Sequence, residues 1–319
     1  NPYKLLSDVS GTTGLDDAGD TIYLHTGSGA YTGGVTLLNN QTLHGANTAL
    51  VVGSYTLAAA GTDPTITNAS GNGVTLASGN TLTGFTVGNT TGFDIANTST
   101  ATVGTLAVSN VVLNGTGGLF RADSSGTLNV TLESASTSNA TSGGLLLSGV
   151  GGSFAVTGAT SISGVTGDAL GVIGNSTANV SFQALALSGI SGKGIVLTGQ
   201  TGSFSAASGS IGTTTGNDVE ITGGTGAVTL PLNITNTAAR SVSIDNHVTG
   251  NVTLSGTISD TGTGILVQNV NSATVLFSNG TKTLNTGANA AVTLTSNTNG
   301  TINFTGGGLD IDTTSGIGF

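Results

Sequence analysis

From residue 73 onward the chain alternates apolar and small polar residues in short runs that open after a turn residue, usually glycine. Runs such as GVTL, GLLLS, GIVLT, DVEIT, SVSID, GILVQ and AVTLT open at Val74, Phe93, Leu119, Leu145, Ala169, Ile195, Val219, Val242, Ile265, Val292 and Ile317. Successive openings recur at a nearly constant spacing. A period of two puts alternate side chains on opposite faces of a strand, whereas helical repeats of this length would carry a period of about 3.6. The repeating unit is therefore made of strands.

Each interval holds two further strand-like pieces. The second opens at Leu128, Phe154, Val180, Phe204, Val228, Val252, Val275 and Ile302; the third lies around Ile162, Leu187, Ile211, Ile234, Ile258 and Ile311. Three short strands in a unit of about 25 residues, turning at Gly, Asn, Asp and Ser, are what one coil of a three-faced parallel β-solenoid requires. Stacked coils would repeat each apolar position in every layer. Phe154, Val180 and Phe204 occupy comparable second-strand positions, with Thr, Ser and Asn left outside. The pattern predicts one β-solenoid domain over 1–319, with an N-terminal cap over 1–30 and stacked coils over 31–319. Because Ser315–Phe319 reads as the opening of a fresh coil, the natural protein is expected to continue past Phe319.

Composition narrows the picture. Among 319 residues there are 54 Gly, 3 Pro and no Cys, Met or Trp, and charged residues make up 6%. Gly, Thr, Ser and Asn disfavour long helices, and 36% hydrophobic residues are enough for a folded chain. The net charge of −10, with five Lys and Arg, is the opposite of a phosphate-binding surface, so no nucleic-acid partner is expected. No apolar run is long enough for a membrane-spanning helix. Without cysteine there are no disulfides, no thiol chemistry and no Cys-ligated metal, which suits a protein exported unfolded.

The opening Asn1-Pro2-Tyr3-Lys4, then AGDTIYL at 18–24, AYTGGVTL at 30–37 and QTLHGA at 41–46, resembles the N-terminal coils of right-handed parallel β-helices of the pectin lyase-like superfamily. The Gly- and Thr-rich remainder is similar to β-strand repeat arrays of bacterial surface proteins, including autotransporter passengers and filamentous adhesins. The resemblance implies a right-handed parallel β-helix, an NP-led cap, and an extracellular or cell-surface location. It also raises polysaccharide lyase, hydrolase or esterase activity, which many members of the superfamily carry.

Such chemistry needs carboxylates and a base converging on one face, hence equal offsets in neighbouring coils. Counted from the nearest strand opening, Asp168 and Asp218 align, with Lys193 between them and Arg240 after them. Asp168, Lys193, Asp218 and Arg240 read as a surface ladder of alternating charge that fixes register; a groove with a central lysine is the functional alternative. Asp16, Asp17 and Asp20, with Asp8 nearby, offer oxygens for Ca²⁺ but read as a solvated cap turn, since no EF-hand or nonapeptide calcium repeat is present. His25, His44 and His247 are far apart in sequence, and of these His25 and His44 alone can share adjacent coils. No nucleophile elbow or triad spacing occurs. Thr-x-Thr pairs at 65/67, 81/83, 100/102, 281/283 and 293/295 share no common offset, so an ice-binding face is not expected.

The expectation is a non-catalytic structural or adhesive segment of a large exported bacterial surface protein, with no cofactor. Its polar faces would contact glycans or other cell surfaces, and its solenoid ends would self-associate. A polysaccharide-active enzyme or glycan-binding module on the same fold is the alternative.

Overall fold

The computed structural model describes residues 5–319; Asn1–Lys4, which open the cap resemblance, lie outside the described residues. The chain is all-β, with 53% strand and 2% helix, and its parallel sheets stack as a β-solenoid of about 24 residues per turn. It divides into two compact units, one ending at Ala159 and the other running from Thr160 to Phe319.

In the first unit, two 3₁₀ turns, Leu6–Val9 and Gly11–Thr13, precede the coils and bury Leu6 and Val9. The coil stack begins at Thr21–Leu24, which pairs in parallel with Thr42–Gly45. That strand pairs with Thr81–Thr90, then Thr105–Asn114, then Thr127–Ser138. A second ladder runs from Val35–Thr36 through Val74–Leu76, Phe93–Asn97 and Gly118–Ala122 to Leu145–Ser148. The second and third strands expected for each coil are fused here into single strands of 10 or 12 residues. The fused strand bends without breaking: between Val108 and Val111 the register shifts, and Asn110 takes a φ of 51°. Gly151–Ser163 and, in the second unit, Asn179–Ile190 are likewise single strands, so the strands expected around Ile162 and Leu187 are the ends of longer ones.

In the second unit the three strands per coil separate from Phe204 onward. The first ladder is Leu170–Ile173, Ile195–Thr198, Val219–Thr222, Arg240–Asp245, Gly264–Gln268 and Val292–Thr295. The second runs from Phe204–Ala206 through Val228–Leu230, Val252–Leu254 and Thr274–Phe277 to Thr301–Phe304. The third runs from Gly209–Thr214 through Asn233–Asn236, Ile258–Asp260 and Lys282–Gly287 to Leu309–Thr313. No regular strand forms at Ile317, although the N–H groups of Ala291 and Val292 donate to the carbonyls of Ile317 and Gly318.

Equal register makes the core. Leu170, Ile195, Val219, Val242, Ile265 and Val292 form one buried aliphatic column, and each layer excludes water from the next. In the first unit, Phe120 and Phe154 are fully buried and meet edge to face at 5.1 Å.

One coil is longer than the rest. Thr42 is opposite Thr81, so the chain between them far exceeds the turn of about 24 residues kept elsewhere. The excess is an antiparallel hairpin, Leu50–Val52 with Tyr55–Ala58, closed through a Gly53-Ser54 turn in which Gly53 has a φ of 61°. Its base is closed by the Gly61 N–H donating to the Ala46 carbonyl at 2.6 Å.

Candidate functional site

The residues expected to form a charge ladder lie in the second unit at the turn that leads into the first strand of each coil. The register there is fixed by Leu170↔Ile195, Ile195↔Val219 and Val219↔Val242. Two positions before these residues stand Asp168, Lys193, Asn217 and Arg240, which form one column. Asp218 is one position further along and does not belong to it. Counting from Ala169 places Asp168 level with Asp218, but Leu170 is the residue in register. A one-residue slip carries a side chain to the other side of the strand. Asp168 is accordingly exposed, whereas Asp218 is 0% exposed. The surface ladder of alternating charge is therefore corrected to a column with asparagine in its third place.

That column is joined mainly by side-chain oxygens and backbone N–H groups. Asp168 Oδ1 accepts from the Lys193 N–H at 2.8 Å, and Asn217 Oδ1 from the Arg240 N–H at 3.2 Å. In the first unit Asn72 Oδ1 accepts from the Phe93 N–H at 2.9 Å, at the same offset. A short polar side chain at this turn thus tethers the next coil. The Lys193 ammonium pairs with Glu220 at 2.6 Å, and Glu220 takes a second hydrogen bond from the Asn217 amide at 2.7 Å. The Arg240 guanidinium donates to the Thr263 carbonyl at 2.9 Å.

Behind this column lies a buried polar corner. Thr214 donates to Asp218 Oδ1 at 2.6 Å, and Asn236 donates to Thr214 Oγ1 and to the carbonyls of Gly216 and Arg240. Asp260, also fully buried, accepts the N–H groups of Ser241 and Gly262 at 2.8 and 2.7 Å. Burial pushes the Asp218 carboxyl up to about 7 against the hydrogen bonds from Thr214 and Asn236, with a further push from the charge of Asp260. The first unit repeats the motif: Thr-Thr-Gly-Phe-Asp at 90–94 matches Thr-Thr-Gly-Asn-Asp at 214–218. There Thr90 donates to Asp94 at 3.0 Å, and burial pushes Asp94 up to about 9. A carboxylic acid held neutral inside a coil is a packing element that keeps one proton.

The remaining candidates have local roles. Asp16 accepts from the buried Gln41 amide, and Asp20 accepts the Asp17 N–H at 2.9 Å, closing the turn before the first strand. Among the described residues no three His, Asp or Glu side chains gather as a metal-binding group. His247 is buried between the carbonyls of Gly223 and Gly250, at 3.1 and 2.7 Å, and so joins two turns. His44 and Tyr23 are register partners, and their rings lie 5.7 Å apart on the solvent side of the first unit; His25 approaches Tyr23 edge-on at 6.4 Å. Tyr31 donates to the His25 carbonyl at 2.7 Å. The sequence pattern does not show this aromatic group, because Tyr23 and His44 sit in different coils and only the strand register joins them.

Among the described residues no helix is long and apolar enough to cross a membrane. Compared with known proteins, the chain matches no family model, no curated protein and no solved structure.

Proposed function

We propose that this chain is a non-catalytic structural or adhesive segment of a large exported bacterial surface protein, a parallel β-helix of the kind its first coils resemble. The observation that supports this reading is how ionisable groups of the second unit are used. Lys193, Glu220 and Arg240 are tied to one another, to Asn217 or to backbone, and Asp218 and Asp260 are hydrogen-bonded inside the corner. A general acid and base must instead face a substrate across a few ångströms of open groove. Outward positions along the strands are filled largely by Thr, Ser and Asn, as in the row Ser205, Thr229 and Thr253.

A glycan-contacting face is the second reading, favoured by Tyr23, His25 and His44. Aromatic rings beside threonine hydroxyls offer both a stacking surface and hydrogen bonds, and Thr21, Thr42 and Thr81 form the neighbouring row.

Incubation with a panel of plant, algal and bacterial polysaccharides, scoring chain shortening and retention of the protein separately, tests both. Neither shortening nor retention is the result expected of a structural segment. Retention that disappears in Tyr23→Ala or His44→Ala would establish the glycan face. Shortening of any polymer would overturn the non-catalytic reading.

A further inference from the structure

The hairpin Leu50–Val52/Tyr55–Ala58 is not part of the coil that carries it. No residue from Asn47 to Thr62 is buried, so the insertion contributes no side chain to the core. It nevertheless has the composition of a core strand, with Val51, Val52, Tyr55 and Leu57 exposed by 52, 57, 74 and 65%. Pairing of Val52 with Tyr55 places those two on one face; alternation along each strand adds Leu50 and Leu57, Leu57 being the extra residue at a register shift where Leu50 pairs with Ala58. The opposite face carries Val51 and Thr56. The outcome is a two-stranded sheet with one apolar side in water, and an isolated hairpin of this kind is at best marginally stable alone.

We propose that this face is a self-association surface, occupied by the same hairpin of a second copy of the chain. Charge argues for a second copy. Each molecule carries −10, so two copies repel over most of their surfaces, whereas the stretch from Gly45 to Thr62 holds no Asp, Glu, Lys, Arg or His. Two hairpins can therefore meet without setting like charges against each other, apolar side chain to apolar side chain, as a two-fold contact requires. Charged side chains and proline are two of the devices that keep sheet edges from pairing, and residues 47–62 contain neither. The four apolar side chains of the face offer on the order of 400 Å² per copy, about half of what each partner contributes to a stable complex. The contact is accordingly weak in solution and gains strength where many copies are held together.

Sedimentation velocity from about 10 μM to about 1 mM, at low and high salt, tests the proposal. The expected result is a concentration-dependent dimer that salt strengthens by screening the mutual repulsion. Combining Val52→Ser, Tyr55→Ser and Leu57→Ser should weaken association at least about tenfold. Replacing residues 49–60 by a short turn should abolish it, with the thermal midpoint unchanged because this keeps the bonds of Asn47 and Thr48 to the coil and removes nothing buried. A wild-type chain that stays monomeric throughout overturns the proposal, as does dimerisation that survives both variants. Hairpin-dependent binding to phosphatidylcholine vesicles by a chain that does not dimerise would overturn it in favour of a lipid surface. None of these readouts depends on polysaccharide, so failure here is separable from failure of the proposed function.

Discussion

The Thr214 hydroxyl donates to Asp218 Oδ1 over 2.6 Å inside a corner where Asp218 is wholly buried. This bond favours the ionised carboxylate, yet burial outweighs it and holds the proton on at a pH where an ordinary aspartate has lost it.

A pH dependence of stability follows. The folded chain keeps protons on Asp218 up to about 7 and on Asp94 up to about 9. The unfolded chain releases both at about pH 4. Their contribution to stability is complete below about pH 4 and is lost as pH rises through the folded values, because the unfolded state gains by ionising where the folded state cannot. Thermal unfolding between pH 4.5 and 9.5 should show a falling midpoint for each unit that contains one of these acids. Asp218→Asn should flatten the fall between about 4 and 7, and Asp94→Asn should flatten the fall that extends toward 9. An unaltered profile in both variants would show that the two acids do not cause it.

Much of this architecture was legible in the sequence, and the places where it was not share a cause. Period-two alternation located Val74, Ile195, Val219 and Val292 as strand openings because a buried column demands an aliphatic side chain in each layer. It misplaced Asp168 relative to Asp218 because Ala169 and Leu170 are both apolar and both buried, and at a corner two consecutive side chains can turn inward. The hairpin at 50–58 is not apparent in the sequence because Leu-Val-Val-Gly-Ser-Tyr-Thr-Leu carries the same alternation and turn residues as a coil. What separates it is the antiparallel pairing, whose one local signal is the two-residue Gly53-Ser54 turn between two apolar runs. The Thr–Asp corners were hidden for another reason: an aspartate before a strand reads as solvated until its neighbours in the next coil are known.

Lys282 breaks the core pattern of the second unit. Its register partners are Ile258 and Leu309, it is 0% exposed, and its ammonium reaches the Gly306 carbonyl at 3.4 Å. Burial lowers its pKa from the ordinary lysine value. A buried ammonium with one long hydrogen bond is poorly compensated for lost hydration. Lys282→Met preserves the length of the side chain and removes the charge, and should raise stability by on the order of 1 kcal/mol. Urea unfolding monitored by circular dichroism measures it, and a lowered midpoint would mean that the ammonium is better satisfied than its one contact suggests.

Phe154 should be among the least tolerant positions of the first unit. It is fully buried against Phe120 at 5.1 Å. A solenoid layer has no second core into which neighbours can collapse, so the cavity left by Phe154→Ala should persist and cost roughly 3–5 kcal/mol. Phe154→Leu should cost distinctly less. Equal denaturation midpoints for the two variants would indicate that the layer closes over the gap.

The ladders also set the order in which the chain can acquire structure. Val219 meets Ile195 behind it and Val242 ahead of it, each a single turn away along the chain. Even the coil interrupted by the hairpin closes between Thr42 and Thr81, well within one unit. Closing such loops costs nearly the same entropy at every step, and each new coil needs only the finished one beneath it as a template. Folding of either unit can therefore advance as a growing front, adding strands as successive segments of chain become available, without waiting for the far end of the polypeptide.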